Sequence, residues 1–218
     1  MTMRVVAGGG GSAEAEVDVL GHFCSTLGSD ARVLNIPWAQ ADPAVPELAE
    51  WVRSALSVHG VTRVDTAASL SFPSARLDAY DGLFLGGGNT YLLLRRLRSS
   101  GLAKLLIAAV RAGLPCYGGS AGAIVLGAHI GTCAHLDRDD VGTSDLHGLD
   151  LLGGFAVWCH FRACDDDKAR TFARESRLRV LAIPENAGFA FDGVKLTAIG
   201  PGVARVWTAG GPSPTGPQ

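Results

Sequence analysis

A serine lies in a glycine-rich turn near the middle of the chain. The run Gly118-Gly-Ser-Ala-Gly122 fits the Gly-x-Ser-x-Gly pattern, follows an apolar segment and precedes a stretch of Ala, Ile, Val and Leu. This order predicts a strand, a sharp turn and a helix, which together present a nucleophilic hydroxyl at the head of a sheet. The free N–H groups and the positive end of a helix beginning at Ala121 would face the same point. An ordinary Gly/Ser turn is the competing interpretation, and the strand–turn–helix context favours the nucleophile Ser120.

Two later residues could activate this serine. His160 follows a predicted strand at Phe155–Cys159, and Glu185 follows another at Arg179–Ile183. A serine hydroxyl is a weak nucleophile unless a base takes its proton and a third group orients that base. Taken singly, His160 is equally explained as a histidine at a sheet edge and Glu185 as a solvated loop acid. The order Ser, His, Glu disfavours the α/β-hydrolase fold, in which the acid precedes the histidine.

The elements that must position these residues alternate between strands and helices. Short apolar strands are predicted at Arg4–Ala7, Arg32–Ile36, Val61–Asp65 and Gly82–Leu85, with amphipathic helices between them. The pattern predicts an α/β fold: a doubly wound, mostly parallel sheet with helices on both faces, and short antiparallel strands near the C-terminus. Ligands bind at the carboxyl ends of the strands in such sheets.

Two further segments can be interpreted either as ordinary loops or as binding sites. The loop Gly8–Gly11 lacks a complete phosphate-binding fingerprint, so we interpret it as a tight connection or as one wall of a cleft. The segment Ile130–Gly154 carries histidines and aspartates without the spacing of a metal site. We therefore predict a solvated insertion that could line the cleft, and no metal.

Composition limits the class of protein. The 218 residues predict one domain over residues 1–209 and a Pro- and Gly-rich, disordered tail over 210–218. A net charge of −2 gives no reason to expect a nucleic acid or a membrane as partner, and no apolar run approaches the roughly eighteen residues of a membrane span. Five cysteines without paired spacing favour a reducing compartment. We expect a cytoplasmic monomer or homodimer.

Four ordered motifs carry a resemblance to a known family. They are Gly86-Gly-Gly-Asn-Thr90, Gly118-Gly-Ser-Ala-Gly-Ala123, Cys159-His-Phe161 and Ile183-Pro-Glu-Asn186. With these motifs the chain resembles the alpha-aspartyl dipeptidase (dipeptidase E) family of serine peptidases. That family is related to cyanophycinase and to class I glutamine amidotransferase domains.

The resemblance implies a role for each matched residue. Ser120 would be the nucleophile, His160 the general base and acid, and Glu185 the residue that orients His160. The backbone N–H groups of Gly88 and Ala121 would form the oxyanion hole. The implied protein is a serine exopeptidase that hydrolyses short peptides, with Asp-X dipeptides as candidates, through an acyl-enzyme and without a cofactor.

Three departures from the family pattern concern the substrate. Gly119 stands where the family often has an aromatic residue before the nucleophile. The acid expected downstream of the elbow could be Asp137, Asp139 or Asp140, with a weak preference for Asp140. An arginine expected to contact the substrate has no clean match. The residues that we predict to bind substrate are Asn89, Asp137, Asp140 and Arg170, with Arg162 and Arg174 as further candidates for the arginine.

Two other functions remain open on the sequence. A related amide hydrolase of the cyanophycinase type would use the same serine chemistry in a more open cleft. A non-catalytic module of the same fold would bind a small molecule, with the glycine loops at Gly8 and Gly86 as anion cradles.

Overall fold

A computed structural model of the chain describes residues 2–42, 46–70 and 74–213. The strands within these ranges are β1 (Val5–Gly8), β2 (Arg32–Ile36), β3 (Arg63–Thr66), β4 (Gly82–Leu85), β5 (Cys116–Gly119), β6 (Phe155–Trp158), β7 (Arg179–Ala182), β8 (Gly188–Phe191), β9 (Leu196–Ile199), β10 (Arg205–Thr208) and β11 (Gly211–Ser213). The α-helices are α1 (Val17–Ser25), α2 (Pro46–Ser57), α3 (Thr90–Ser99), α4 (Leu102–Arg111), α5 (Ala121–Leu126) and α6 (Asp166–Ser176). None of the described helices is long and apolar enough to cross a membrane.

The larger sheet has the order β3-β2-β4-β5-β1-β8-β9. Its first five strands are parallel, whereas β8 is antiparallel to β1 and β9 is antiparallel to β8. The predicted α/β fold with a mostly parallel sheet and antiparallel C-terminal strands is therefore confirmed.

A second sheet was not predicted. Strands β6 and β7 are parallel to each other and form a four-stranded sheet with β10 and β11, in the order β11-β10-β7-β6. They do not extend the larger sheet, because β8 already pairs with the free edge of β1. The strands that precede His160 and Glu185 therefore belong to a different sheet from the strand that precedes Ser120.

Helices cover both faces of the larger sheet. Val5 and Val6 are neighbours in β1, point to opposite faces and are both buried. Val6 packs into a cluster with residues of α1 and α2, and Val5 packs into a larger cluster that includes α3, α4 and α5. Burial on both faces explains why the strands are short continuous apolar runs rather than alternating ones.

The predicted disordered tail begins too early. Gly211–Ser213 forms β11, which pairs antiparallel with β10, so the expected boundary at residue 209 falls inside a hairpin. The strand was missed because glycine and proline dominate its sequence and weaken any strand pattern, although both are tolerated at a sheet edge. The remainder of the predicted tail, 214–218, lies outside the described residues.

Candidate active site

Ser120 occupies a strained turn between β5 and α5. Its backbone has φ 51° and ψ −114°, a region in which side-chain-bearing residues are rare and which costs about 1–3 kcal/mol. The neighbouring glycines allow the turn. A Cβ at Gly122 would lie 2.1 Å from the carbonyl oxygen of Leu85, and one at Gly118 would lie 2.7 Å from the carbonyl carbon of Gly122. The predicted elbow therefore depends on residues without side chains.

The serine hydroxyl begins a chain of two hydrogen bonds. Ser120 Oγ lies 2.9 Å from His160 Nε2, and His160 Nδ1 lies 2.9 Å from Glu185 Oε1. The parallel pairing of β6 with β7 sets Trp158 opposite Ala182, so the residues that follow both strands emerge at the same edge. The structure thus brings together the three side chains that the sequence singled out. In this arrangement His160 can take the serine proton while Glu185 holds the other ring nitrogen.

The loop Gly8–Gly11 forms a wall of the site, as one of its two interpretations predicted. Gly10 has φ 95°, and a Cβ there would lie 2.6 Å from Ser120 Cβ and 2.8 Å from His160 Nε2. The carbonyl oxygen of Gly9 accepts a hydrogen bond from the His160 backbone N–H at 3.0 Å. The loop therefore touches both side chains of the Ser120–His160 pair.

A buried carboxylate supports this loop. Glu16 is 1% exposed; its Oε1 accepts a hydrogen bond from the Gly10 N–H at 2.8 Å, and its Oε2 accepts one from the Tyr117 hydroxyl at 2.5 Å. Burial raises the pKa of Glu16, and these hydrogen bonds oppose the rise. Glu16 was not among the residues predicted from the sequence to belong to the site. Tyr117 in β5 could have indicated such a partner, because a buried tyrosine hydroxyl requires a hydrogen-bond partner.

The backbone N–H groups of Gly88 and Ala121, which were predicted to form an oxyanion hole, have no acceptor among the described residues. Gly88 has φ 134°, and a Cβ there would lie 2.5 Å from the Ala39 carbonyl oxygen, so only glycine fits. Within the described part of the chain, neither the Gly88 N–H nor the Ala121 N–H donates to a backbone or side-chain acceptor. Helix α5, which begins at Ala121, has only six residues. For binding an oxyanion, the individual N–H groups would therefore contribute more than the predicted helix dipole.

Two cavities meet at Ser120. A cavity of about 420 Å³ has Ser120, His160, Asp137 and Thr90 among its lining residues, together with Ile124 and Leu136, and is called the polar cavity here for its four polar side chains. An apolar cavity of about 230 Å³ extends on the other side, between the sheet and α2. Gly10, Gly87 and Ser120 line both. A substrate bound at Ser120 can therefore contact two different environments.

Comparisons with known proteins identify the family of this chain. A model of peptidase family S51 matches residues 5–199. The chain belongs to peptidase family S51. The family model covers most of the chain, from β1 to the end of β9, and so includes the whole larger sheet, β6 and β7 of the second sheet, and all three residues of the hydrogen-bonded chain. This S51 family member is a serine-type peptidase, as the resemblance implied.

Individual relatives support the family. The chain is 29% identical to a peptidase E of Streptomyces coelicolor over 93% of its own length and 84% of the relative's. It is 30% identical to a peptidase E of Citrobacter koseri over 65% of each chain. A solved peptidase structure from an acI-B1 Actinobacterium has a TM-score of 0.71 at 15% identity, covering 95% of this chain and 92% of that one. A structure from Listeria monocytogenes EGD-e has a TM-score of 0.75 at 21% identity, covering 93% of this chain and all of that one. The two structures show the fold.

The acid that reaches the site of this S51 peptidase is Asp137. Its Oδ2 accepts a hydrogen bond from the Thr90 N–H at 2.8 Å, and it lines the polar cavity. Asp140 instead pairs with Arg138 at 2.9 Å and is two-thirds exposed. Asp139 accepts hydrogen bonds from the backbone of Val141 and Thr143. The preference for Asp140 over Asp137 does not hold, because the chain after Arg138 folds into a turn of its own.

Asn89 does not face the substrate. Its Oδ1 accepts a hydrogen bond from the Leu92 N–H at 2.9 Å, which caps α3, and its Nδ2 donates to the Arg138 carbonyl at 2.8 Å. The predicted binding role is corrected to a structural one: Asn89 joins the start of α3 to the segment that carries Asp137.

The predicted arginines also lie elsewhere. Arg170 is exposed on α6 and forms an ion pair with Asp167, because the two are three residues apart on one helix face. Arg162 and Arg174 are exposed too, and none of the three lines either cavity at Ser120. The structure therefore does not bring Arg170 to the substrate, and the described lining residues include no arginine or lysine.

The histidines of the polar insertion have partners other than a metal. His147 pairs with Asp145 at 2.6 Å, and His135 stacks on Trp158 with ring centroids 4.3 Å apart. Across the described residues, no group of three or more His, Cys, Asp or Glu side chains could hold a metal ion.

Proposed function

We propose that this S51 peptidase hydrolyses short peptides through Ser120, His160 and Glu185 and an acyl-enzyme. The observation that carries the proposal is the continuous pair of 2.9 Å hydrogen bonds from the strained Ser120 to Glu185. A strained nucleophile, a base in contact with it and an acid behind the base are the parts that serine hydrolysis requires.

The geometry supports the following reaction. Ser120 Oγ attacks the scissile carbonyl carbon while His160 Nε2 takes its proton, and Glu185 stabilises the imidazolium through Nδ1. The N–H groups of Gly88 and Ala121 donate to the oxyanion, and each such donor typically lowers the barrier by about 2.7–4 kcal/mol. His160 then passes its proton to the leaving amine as the C–N bond breaks. Water then attacks the acyl-enzyme ester while His160 takes its proton. His160 returns this proton to Ser120 Oγ as the ester bond breaks, and the acyl part of the peptide leaves as a carboxylic acid.

Asp137 suggests how a short peptide is held. The α-ammonium of a peptide loses solvation in a cleft and needs an acidic partner there. Among the described acids that were candidates for this role, Asp137 alone lines the cavity with Ser120 and His160. We therefore propose that Asp137 binds the substrate N-terminus and makes the enzyme an exopeptidase. The preference for an N-terminal aspartate is not retained, because no described lining residue offers its carboxylate a lysine or arginine.

A serine-directed fluorophosphonate and a dipeptide panel test the proposal. The wild-type protein should be labelled at Ser120 and should release free amine from dipeptides, whereas Ser120→Ala should do neither. The double variant Ser120→Ala/His160→Ala should hydrolyse dipeptides no more slowly than Ser120→Ala or His160→Ala alone, because the two residues act as a unit. N-acetylated dipeptides are the control for Asp137 and should be poor substrates. An unlabelled protein that binds peptides without hydrolysis would contradict the proposal.

A further inference from the structure

The apolar cavity beside Ser120 has no role in the chemistry described so far. Helix α2 and the ends of β2, β4 and β5 enclose it, and its apolar walls are Pro37, Leu48, Trp51, Val52 and Phe84. Trp51 is 42% exposed and meets Phe84 edge to face, with ring centroids 6.3 Å apart. An exposed tryptophan at the wall of a cavity offers a large apolar surface for a ligand to cover.

The polar side chains of this cavity are engaged within the protein. Glu16 accepts from Gly10 and Tyr117, as described above. Asn35 Nδ2 lies 3.3 Å from Thr66 Oγ1, and Gln40 Nε2 donates to the Gly87 carbonyl at 2.8 Å. The described lining residues include no lysine, arginine or histidine. An acidic substrate side chain would enter next to the Glu16 carboxylate and lose its hydration without a cation in return.

We infer that this cavity is the specificity pocket for a large apolar side chain of the peptide, such as leucine or phenylalanine. The inference rests on the proposed function and names its substrate class. A cavity of about 150 Å³ lined by apolar side chains accommodates benzene. The volume of about 230 Å³ is therefore sufficient for a phenyl or an isobutyl group.

The position of His160 assigns the pocket to one side of the scissile bond. His160 lines the polar cavity and does not line the apolar one. Because the leaving nitrogen takes its proton from His160, the leaving residue lies on the polar side. The apolar pocket, on the other side of Ser120, then receives the side chain of the acyl residue, which is the first residue of a dipeptide. The α-ammonium on the same Cα remains on the polar side, at Asp137.

Two dipeptide series test the assignment, with the acyl residue varied in X-Ala and the leaving residue varied in Ala-X. We expect kcat/KM for Phe-Ala and Leu-Ala to exceed that for Ala-Ala and Asp-Ala by about tenfold or more, with little dependence on X in Ala-X. Trp51→Ala should lower the Phe-Ala to Ala-Ala ratio by about tenfold. Leu105→Ala is the matched control: Leu105 is 41% exposed on α4 and lines neither cavity, so its ratio should stay at the wild-type value.

A filling variant gives a second readout. A Cβ at Gly86 would meet only Phe84 Cε1, at 3.8 Å, so Gly86→Ala should fold and narrow the pocket. This variant should lower the ratio of kcat/KM for Phe-Ala to kcat/KM for Ala-Ala. If Asp-Ala is the better substrate, or if both variants keep the wild-type ratio, the pocket assignment is overturned while peptide hydrolysis stands. If no peptide is hydrolysed, the proposed function fails and this inference fails with it.

Discussion

The carboxylate of Glu16 lies 2.5 Å from the hydroxyl of Tyr117, beneath the loop that contacts Ser120 and His160. The same carboxylate accepts a hydrogen bond from the Gly10 N–H. Tyr117 belongs to β5, which leads into the elbow, and Gly10 belongs to the loop after β1. Glu16 therefore ties together two elements that must keep a fixed distance for Ser120 to meet His160, and it acts as a positioning residue.

Removing this carboxylate should destabilise the protein. Glu16→Ala leaves the Tyr117 hydroxyl and the Gly10 N–H without their partner, and each buried unpaired group costs about 1–3 kcal/mol. We expect the free energy of unfolding in urea to fall by about 2–6 kcal/mol, and less in Glu16→Gln, which keeps the shape and part of the bonding. Tyr117→Phe is the control that removes one of the two bonds. A Glu16→Ala protein as stable as the wild type would contradict this role.

The same residue predicts a pH dependence of stability. Burial raises the pKa of Glu16 above the usual 4.5, so between the two values the folded state binds more protons than the unfolded state. The contribution of Glu16 to stability is therefore full below the unfolded pKa and is lost as pH rises through the folded pKa. Urea unfolding of the wild type and Glu16→Gln, from about pH 4 to 8, should show the wild-type advantage decreasing as pH rises. An advantage that grew with pH would show that the carboxylate is stabilised in its charged form.

The sequence predicted the parts of the site that local chemistry determines. The Ser120 elbow is defined by glycines at fixed spacing, and His160 and Glu185 each follow a short apolar strand, so their convergence could be expected. The choice of Asp137 over Asp140 could not be predicted. It depends on a turn after Arg138, whose carbonyl accepts a hydrogen bond from Asn89 at the start of α3, a residue far away in the sequence. The second sheet could not be predicted either, since the edge of β1 was equally open to β6 and to β8. Glu16 was missed for the same reason: its partners are long-range contacts.

Thiol reactivity tests the burial of the core around the site. Of the five cysteines, all unpaired, Cys164 is exposed and the other four are buried. Burial raises the pKa of Cys24 and Cys133 to about 11, and it also raises the pKa of Cys116 and Cys159. One thiol should react rapidly with Ellman's reagent in the native protein, and all five in denaturant. In Cys164→Ser the rapid native reaction should disappear; rapid reaction of a second thiol would show that the core opens.

The last prediction concerns the close approach of Gly10 to the hydrogen-bonded pair Ser120 and His160. Gly10 and Gly60 both have positive φ, 95° and 86°, so alanine strains the backbone at either position. They differ in their surroundings: a Cβ at Gly60 meets nothing within 4 Å, whereas one at Gly10 meets Ser120 and His160 at less than 3 Å. Backbone strain should cost each variant about 1–2 kcal/mol. Urea unfolding should show a larger loss in Gly10→Ala, because its methyl group also clashes with Ser120 and His160.

Only Gly10→Ala should also lose activity, because its methyl group must displace Ser120 or His160. A displacement of about 1 Å in a catalytic pair can cost about a hundredfold in rate. We therefore expect kcat/KM to fall by about a hundredfold in Gly10→Ala and to stay near the wild-type value in Gly60→Ala, with the loss in kcat rather than KM. Equal activity of the two variants would mean that the loop moves freely without disturbing the pair, and that Glu16 does not hold it in place.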